Sequence, residues 1–436
     1  MRVLARDIVK AAGEQNGAEV EVKGWVHRIR DMGGVSFVIL RDRSGIVQLV
    51  LAEKPDLSLE SVIVARGIPA LNDKAPGGAE IQVNSLECIS RADGELPYQV
   101  NADIGKIGIE AILDNRSLSL RNPKIQAIFK VQATIIEAFS AYLRSQDFTE
   151  IRTSKLVGSG TEGGTNLFEV EYFDRKVYLA QSPQLYKQIM VASGLERVFE
   201  IASAYRAEKH DTPRHLNEYV SLDVEMGFIE SEKDLIELEK NLLAHIFTET
   251  ARKNARELAM WGASVPDAEA VFKAPTLGYE DALKTANAEL AAGGKKQASA
   301  RIFDITPEAE RLLCEWAGRE HGIELVFVNE FPRRYRPFYT YPLDATRTMS
   351  FDALFRGLEI TSGSRRQHDY QSFLETLPKF GLKPEYMAGY LTVFKYGCPP
   401  HGGFAIGCER LTQKILGLAN VKEASLFPRD RKRVEP

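Results

Sequence analysis

The chain has 436 residues, 44% of them hydrophobic, enough for two or three domains with substantial cores. A formal net charge of −4 excludes a globally basic nucleic-acid-binding surface, so any RNA contact must rest on local patches. Four cysteines without C-x-x-C spacing argue against zinc and a disulfide framework. The lack of a signal peptide or a long apolar run predicts a cytoplasmic protein with no membrane partner.

Residues 20–50 alternate in the manner of strands, with Val20, Val22, Trp25 and Val26, then Val35–Leu40, then Ile46–Val50. Asp31-Met32-Gly33-Gly34 and Asp42-Arg43-Ser44-Gly45 supply the turns. A second pair, Ser61–Val64 and Ala79–Val83, flanks the glycine-containing Ala75-Pro76-Gly77-Gly78. Five short strands within residues 1–103 predict a small closed barrel of the OB type, a fold that binds oligonucleotides. Residues 104–124 show no clean period and read as a hinge, with a second domain over 125–436. A helix is predicted over Pro123–Ser145, with Ile128, Val131, Ile135, Phe139 and Tyr142 on one face. It is followed by a strand, Asp147–Ile151.

Further on, Phe199-Glu200-Ile201-Ala202-Ser203-Ala204-Tyr205-Arg206-Ala207-Glu208 reads as a strand ending in Arg-x-Glu. A polar loop leads to His215-Leu216-Asn217-Glu218-Tyr219 and a second strand, Leu222-Asp223-Val224-Glu225-Met226. A helix begins at Ser231, with Glu232 and Asp234 suited to its positive N-terminus. Residues 257–310 carry no legible chemistry. Near the C-terminus, Gly402-Gly403-Phe404-Ala405-Ile406-Gly407-Cys408-Glu409-Arg410-Leu411 reads as a strand opening into a helix. Each of the two arginines offers a guanidinium fork that holds phosphate oxygens bidentately and keeps its charge.

The two arginine segments, in this order, resemble motifs 2 and 3 of the class II aminoacyl-tRNA synthetases. Helix plus strand at 123–151 is similar to motif 1, the dimer-forming element, although Ser154 stands where the family's proline follows Thr153. The resemblance extends over almost the whole chain to the aspartyl enzymes of the archaeal and eukaryotic kind, including Leu426-Phe427-Pro428-Arg429-Asp430-Arg431. It implies an α/β fold of the α+β kind, with an OB barrel joined to a catalytic domain on an antiparallel sheet flanked by helices, and a homodimer.

By that resemblance, Arg206, Arg410 and Glu359 carry catalysis. Gln181-Ser182-Pro183-Gln184-Leu185-Tyr186-Lys187-Gln188 is similar to the aspartate-binding signature, with Gln184 on the amino acid and Lys187 on its side-chain carboxylate. Arg366 matches the second cation, Asp223 and Glu162 meet the ammonium, and Arg206 and Ser362 complete the aspartate set. ATP is assigned to Arg206, Ala207, Glu208, Arg214, His215, Leu216, Tyr219 (stacked on adenine), Glu359, Gly407, Cys408, Glu409 and Arg410. Mg2+ is implied at Glu359 and Ser362 with Asp352 as auxiliary, and the three-residue spacing of Glu359 and Ser362 suits one face of a helical turn.

In the barrel, Phe37 matches the aromatic that stacks on the central anticodon base, with Gln48 on that base's edge and Arg28 and Arg30 on phosphates or bases. Members restricted to tRNA-Asp often carry Gln at the position of His27 and Lys near Pro76, and Pro76 offers no donor. The resemblance therefore points to an enzyme that attaches L-aspartate to both tRNA-Asp and tRNA-Asn, the latter product needing a separate amidotransferase. The alternatives are a form restricted to tRNA-Asp, an asparaginyl enzyme (opposed by Lys187 and Arg366), a non-ligating RNA-binding paralogue, and a small-molecule ligase of the same fold.

Overall fold

The computed structural model describes residues 2–14, 17–158, 167–209, 211–292 and 302–435, and they divide into two compact units, Met1–Asn122 and Pro123–Pro436. In the first, β1 (Val20–Asp31), β2 (Ser36–Asp42), β3 (Gly45–Leu51), β4 (Val62–Leu71) and β5 (Ala79–Ser90) close into a barrel in the order β1-β2-β3-β5-β4. Val20, Val22, Val26, Val38, Leu40, Val47, Leu49, Ile63 and Ile81, from the predicted strands, form its core. Closure leaves no free sheet edge.

The stretch read as a hinge is instead largely helical, with helices Ile109–Asp114 and Arg116–Ser119. Its end is tied to the barrel unit: the Asn122 side-chain amide donates to Val100 O at 2.7 Å, and Arg121 pairs with the buried Glu60 at 3.1 Å. These turns are too short to show a hydrophobic period, which is why the sequence hid them.

The second unit is built on an eight-stranded sheet. Its strands are β6 (Thr149–Glu150), β10 (Arg197–Tyr205), β11 (Glu218–Gly227), β12 (Thr276–Gly278), β13 (Leu325–Asn329), β14 (Ser350–Phe355), β15 (Leu358–Arg366) and β16 (His401–Gly407). A separate small sheet holds β7 (Leu156–Val157), β8 (Glu169–Tyr172) and β9 (Arg175–Leu179). The large sheet runs β12-β13-β14-β15-β16-β11-β10-β6, antiparallel except for β12–β13 and β10–β6. The helix Pro123–Ser145 forms over the predicted span, and Val131, Ile135 and Phe139 pack in one core with Leu242 and Phe247 of helix Glu232–Lys253 and with Phe199, Leu222 and Phe404 of the sheet. Ser231 caps that second helix in a reciprocal box with Asp234. The strand expected at 147–151 shrinks to Thr149–Glu150, because Asp147 takes φ +61° at the turn out of the helix. Residues 255–292 form three helices and β12 at the sheet edge. Among the described residues no helix is long and apolar enough to cross a membrane.

Candidate active site

The central strands β11, β15 and β16 floor a cleft of about 430 Å³. Pairing places Asp223 opposite Ala405, and Ala405 opposite Ser362, so residues from three distant segments share one surface. Gly403 in β16 leaves room for this: a Cβ there would collide with Val224 O and with Glu225 Oε2.

The deep end of the cleft is a buried charge network. Arg366 lines it, 5% exposed, and its guanidinium donates to Glu225 Oε1 (2.9 Å), Glu225 Oε2 (3.2 Å), Gln184 Oε1 (3.0 Å), Ser364 Oγ (2.6 Å) and Gly403 O (3.0 Å). Lys187, from the short helix Gln184–Met190, is fully buried and is not among the lining residues. Its ammonium lies 2.7 Å from Asp223 Oδ1 and 3.6 Å from Glu225 Oε2. Burial acts to raise the Glu225 carboxyl, but Arg366 and Lys187 together hold it below the usual carboxylate range. Asp223 lines the cleft, and its Oδ2 has no hydrogen-bond partner among the described residues. Glu225 is the residue that the sequence reading missed. Its signal was faint: an acid two positions after Asp223 in a strand faces the same side.

The other end is more open. Arg206, Glu208, Arg214, His215, Leu216, Tyr219, Gly407, Glu409 and Arg410 all line it, whereas Ala207 and Cys408 do not. The Arg206 guanidinium sits 5.5 Å from the Tyr219 ring centre. His215 Nδ1 is 2.6 Å from Thr212 Oγ1. Arg410 donates to Glu359 O (2.9 Å) and Glu359 Oε1 (3.3 Å). Glu409 points inward, accepting from Val220 N at 3.1 Å on both oxygens, and burial lifts its carboxyl to about 7. Residues 257–310 do contribute here. Glu310, in helix Pro307–His321, accepts from Glu359 N at 3.0 Å and pairs with Arg214, and burial pushes it up to about 7 despite that arginine.

Glu359 and Ser362 share the cleft, but by a different device from the helical turn that their spacing suggested. Both lie in β15, where strand alternation sets residues three apart on opposite faces. The register with β14 slips between Ala353 and Leu354, so Ile360 is an extra residue, and this β-bulge returns both side chains to the cleft. Asp352 lies directly across from Ser362. Burial raises its carboxyl, opposed by Arg336, whose guanidinium reaches Asp352 Oδ2 at 2.8 Å and Ser362 Oγ at 3.1 Å. Asp352 Oδ1 has no partner among the described residues. Among those residues no group of three or more His, Cys, Asp and Glu could hold a metal. Glu162 lies outside the described residues.

In the barrel unit, Phe37 is half-buried and pairs across to Arg30, and both Arg28 and Arg30 are exposed. Gln48 is buried and donates to Glu80 Oε2 at 2.9 Å. His27 sits at a bulge in β1, and its Nδ1 lies 2.8 Å from Arg41, which is itself bound to Glu60. Burial, reinforced by Arg41, lowers the His27 pKa. Pro76 occupies the β4–β5 turn, closed by Asn72 N donating to Gly78 O at 3.0 Å.

Residues 108–431 match the family of class II tRNA synthetases (D, K and N), and residues 20–89 match the OB-fold nucleic acid binding domain. The chain belongs to the class II tRNA synthetases. It is 48% identical to the aspartate–tRNA(Asp/Asn) ligase of Thermus thermophilus over 100% of both chains. It is 40% identical to the aspartate–tRNA(Asp) ligase of Pyrococcus furiosus over 97% of both. Its fold is similar to asparaginyl-tRNA synthetase from Pyrococcus horikoshii complexed with asparaginyl-adenylate, with TM-score 0.88 and 30% identity over 100% of both chains. This synthetase thus combines the barrel and the antiparallel catalytic sheet expected from its motifs.

Proposed function

We propose that this synthetase activates L-aspartate with ATP and transfers it to both tRNA-Asp and tRNA-Asn. The observation that carries the choice of amino acid is Arg366 at the deep end of the cleft, fixed by Glu225 and backed by the Lys187 ammonium. A guanidinium that lines one end of a pocket suits a side-chain carboxylate better than an amide. The unpartnered Asp223 oxygen suits the substrate ammonium, with Gln184 and Ser362 completing its polar contacts. Glu162 joins this set as a proposal from motif likeness alone.

ATP is assigned to the open end. Arg206 takes the α-phosphate, Arg410 the outer phosphates with Arg214 and His215, and Tyr219 the adenine face. Glu208, Leu216 and Glu409 shape the walls, while Ala207, Gly407 and Cys408 contribute backbone. The aspartate α-carboxylate then attacks the α-phosphorus in line, pyrophosphate leaves, and the tRNA 3′-OH attacks the mixed anhydride. The arginines stabilise charge that develops in the transition state and position the reactants.

Mg2+ fits the remaining donors. Asp352, Glu359 and Ser362 offer hard oxygen atoms, one of them unpartnered, and so few protein ligands suit an ion that keeps water and phosphate around it. When bound it would neutralise phosphate charge.

On the tRNA side, Phe37 stacks on the central anticodon base, with Gln48, Arg28 and Arg30 around it. His27 and Pro76 leave the third base unread, and the aspartylated tRNA-Asn goes to an amidotransferase. Support comes from the full-length likeness to the Thermus relative. The helix and strand over 123–150 supply a homodimer surface.

The deciding experiment charges tRNA-Asp and tRNA-Asn transcripts side by side. Efficiencies within about tenfold are expected, since one missing base contact is worth only ~1–3 kcal/mol. His27→Gln with Pro76→Lys should move the ratio toward tRNA-Asp and leave aspartate-dependent pyrophosphate exchange unchanged. A wild type that charges tRNA-Asp alone refutes the dual specificity but leaves aspartylation standing.

A further inference from the structure

We infer that Arg336 is a built-in counter-cation of the Asp352–Ser362 pair, whose place a divalent ion entering with nucleotide must take. This rests on the metal donor set proposed above. The two donors face each other across β14 and β15, and the Arg336 fork spans them, one nitrogen 2.8 Å from Asp352 Oδ2 and the other 3.1 Å from Ser362 Oγ. The ion pair is largely shut from water, with side chains 11% and 9% exposed, so like charge brought beside it is weakly screened. The guanidinium also lies 3.8 Å from the centre of the Phe331 ring, a second contact that favours this position.

Arg336 nevertheless comes from the long connection between β13 and β14, where the only helical turn is Arg333–Tyr335, and it lines the cleft. Its long stem lets the head leave Asp352 without disturbing the sheet. A free divalent cation therefore meets a positive charge already seated on two of its three donors. Nucleotide changes the balance, because phosphate oxygens give the fork a bidentate alternative. Metal and nucleotide should then bind cooperatively, with each tightening the other by the same factor.

The test titrates the full chain with Mn2+, read by loss of the aqueous electron paramagnetic resonance signal, with and without a non-hydrolysable ATP analogue. Arg336→Gln should tighten nucleotide-free Mn2+ binding about tenfold and reduce the mutual tightening of Mn2+ and analogue by a similar factor, within the usual range of coupled sites. Adding Asp352→Asn should remove the gain. Arg336→Met, which keeps the stem against Phe331, repeats the measurement if the Gln variant does not fold. A nucleotide-free affinity that changes less than threefold, while Asp352→Asn still weakens binding, overturns the role of Arg336 alone. Binding that Asp352→Asn never weakens overturns the metal assignment and the inference together.

Discussion

The two ends of the cleft use charge in opposite ways. At the deep end Glu225, Arg366, Lys187 and Asp223 are each at most 5% exposed and locked by multiple short contacts. At the open end the Arg410–Glu359 pair is 27% and 38% exposed, and Arg214 and Arg336 hold acids that lie beside the proposed phosphate and metal positions. The deep network is organised before substrate arrives. The open one is held by ion pairs that must exchange partners. Rigid recognition of a small amino acid and adaptable binding of a triphosphate need these two designs.

The comparison breaks most sharply at Glu225. Glu225→Gln leaves two buried cations short of a carboxylate, at a cost of roughly 3–5 kcal/mol. Both the melting temperature and aspartate-dependent pyrophosphate exchange should fall, and an unchanged Tm would show that the network is not structural. Arg410→Ala should separate these effects. Exchange should drop about a hundredfold or more, while Tm moves no more than about 2–4 °C, since half-exposed ion pairs contribute at most ~1 kcal/mol.

Glu239 sharpens the point, being a fully buried acid with neither oxygen hydrogen-bonded among the described residues. Burial, with Asp352 adding to it, raises its carboxyl from 4.5 to about 8. The folded chain then keeps a proton that the unfolded chain releases, so stability falls as pH rises between those values. Glu239→Gln should flatten that slope, measured by denaturant melts at pH 5 and pH 8, by about 3–4 kcal/mol at ~1.4 kcal/mol per pKa unit. The smallest effect belongs to Glu310→Gln, which removes the charge facing Arg214. Arg214 is then free for phosphate, and a fall in ATP KM of about fivefold, ~1 kcal/mol, is expected with aspartate KM unchanged. Equal changes in both constants would mean that the two ends are not independent.

Local pattern carried much of this. Alternation marked the barrel strands, helical spacing marked Pro123–Ser145, and the two arginine frames marked the cleft and the family. These are short-range signals, because side-chain direction repeats every 2 or 3.6 residues along a regular element. Tertiary structure decided what depends on pairing between distant segments. A bulge against β14, rather than a helical turn, brings Glu359 and Ser362 to one face. Glu225 gains its role only where β11 meets β16 and Arg366. Glu310 and Arg336, silent in sequence, acquire functions because packing seats them against Arg214 and Asp352. A buried charge is defined by the partners that desolvate and neutralise it, and those partners lie far away along the chain.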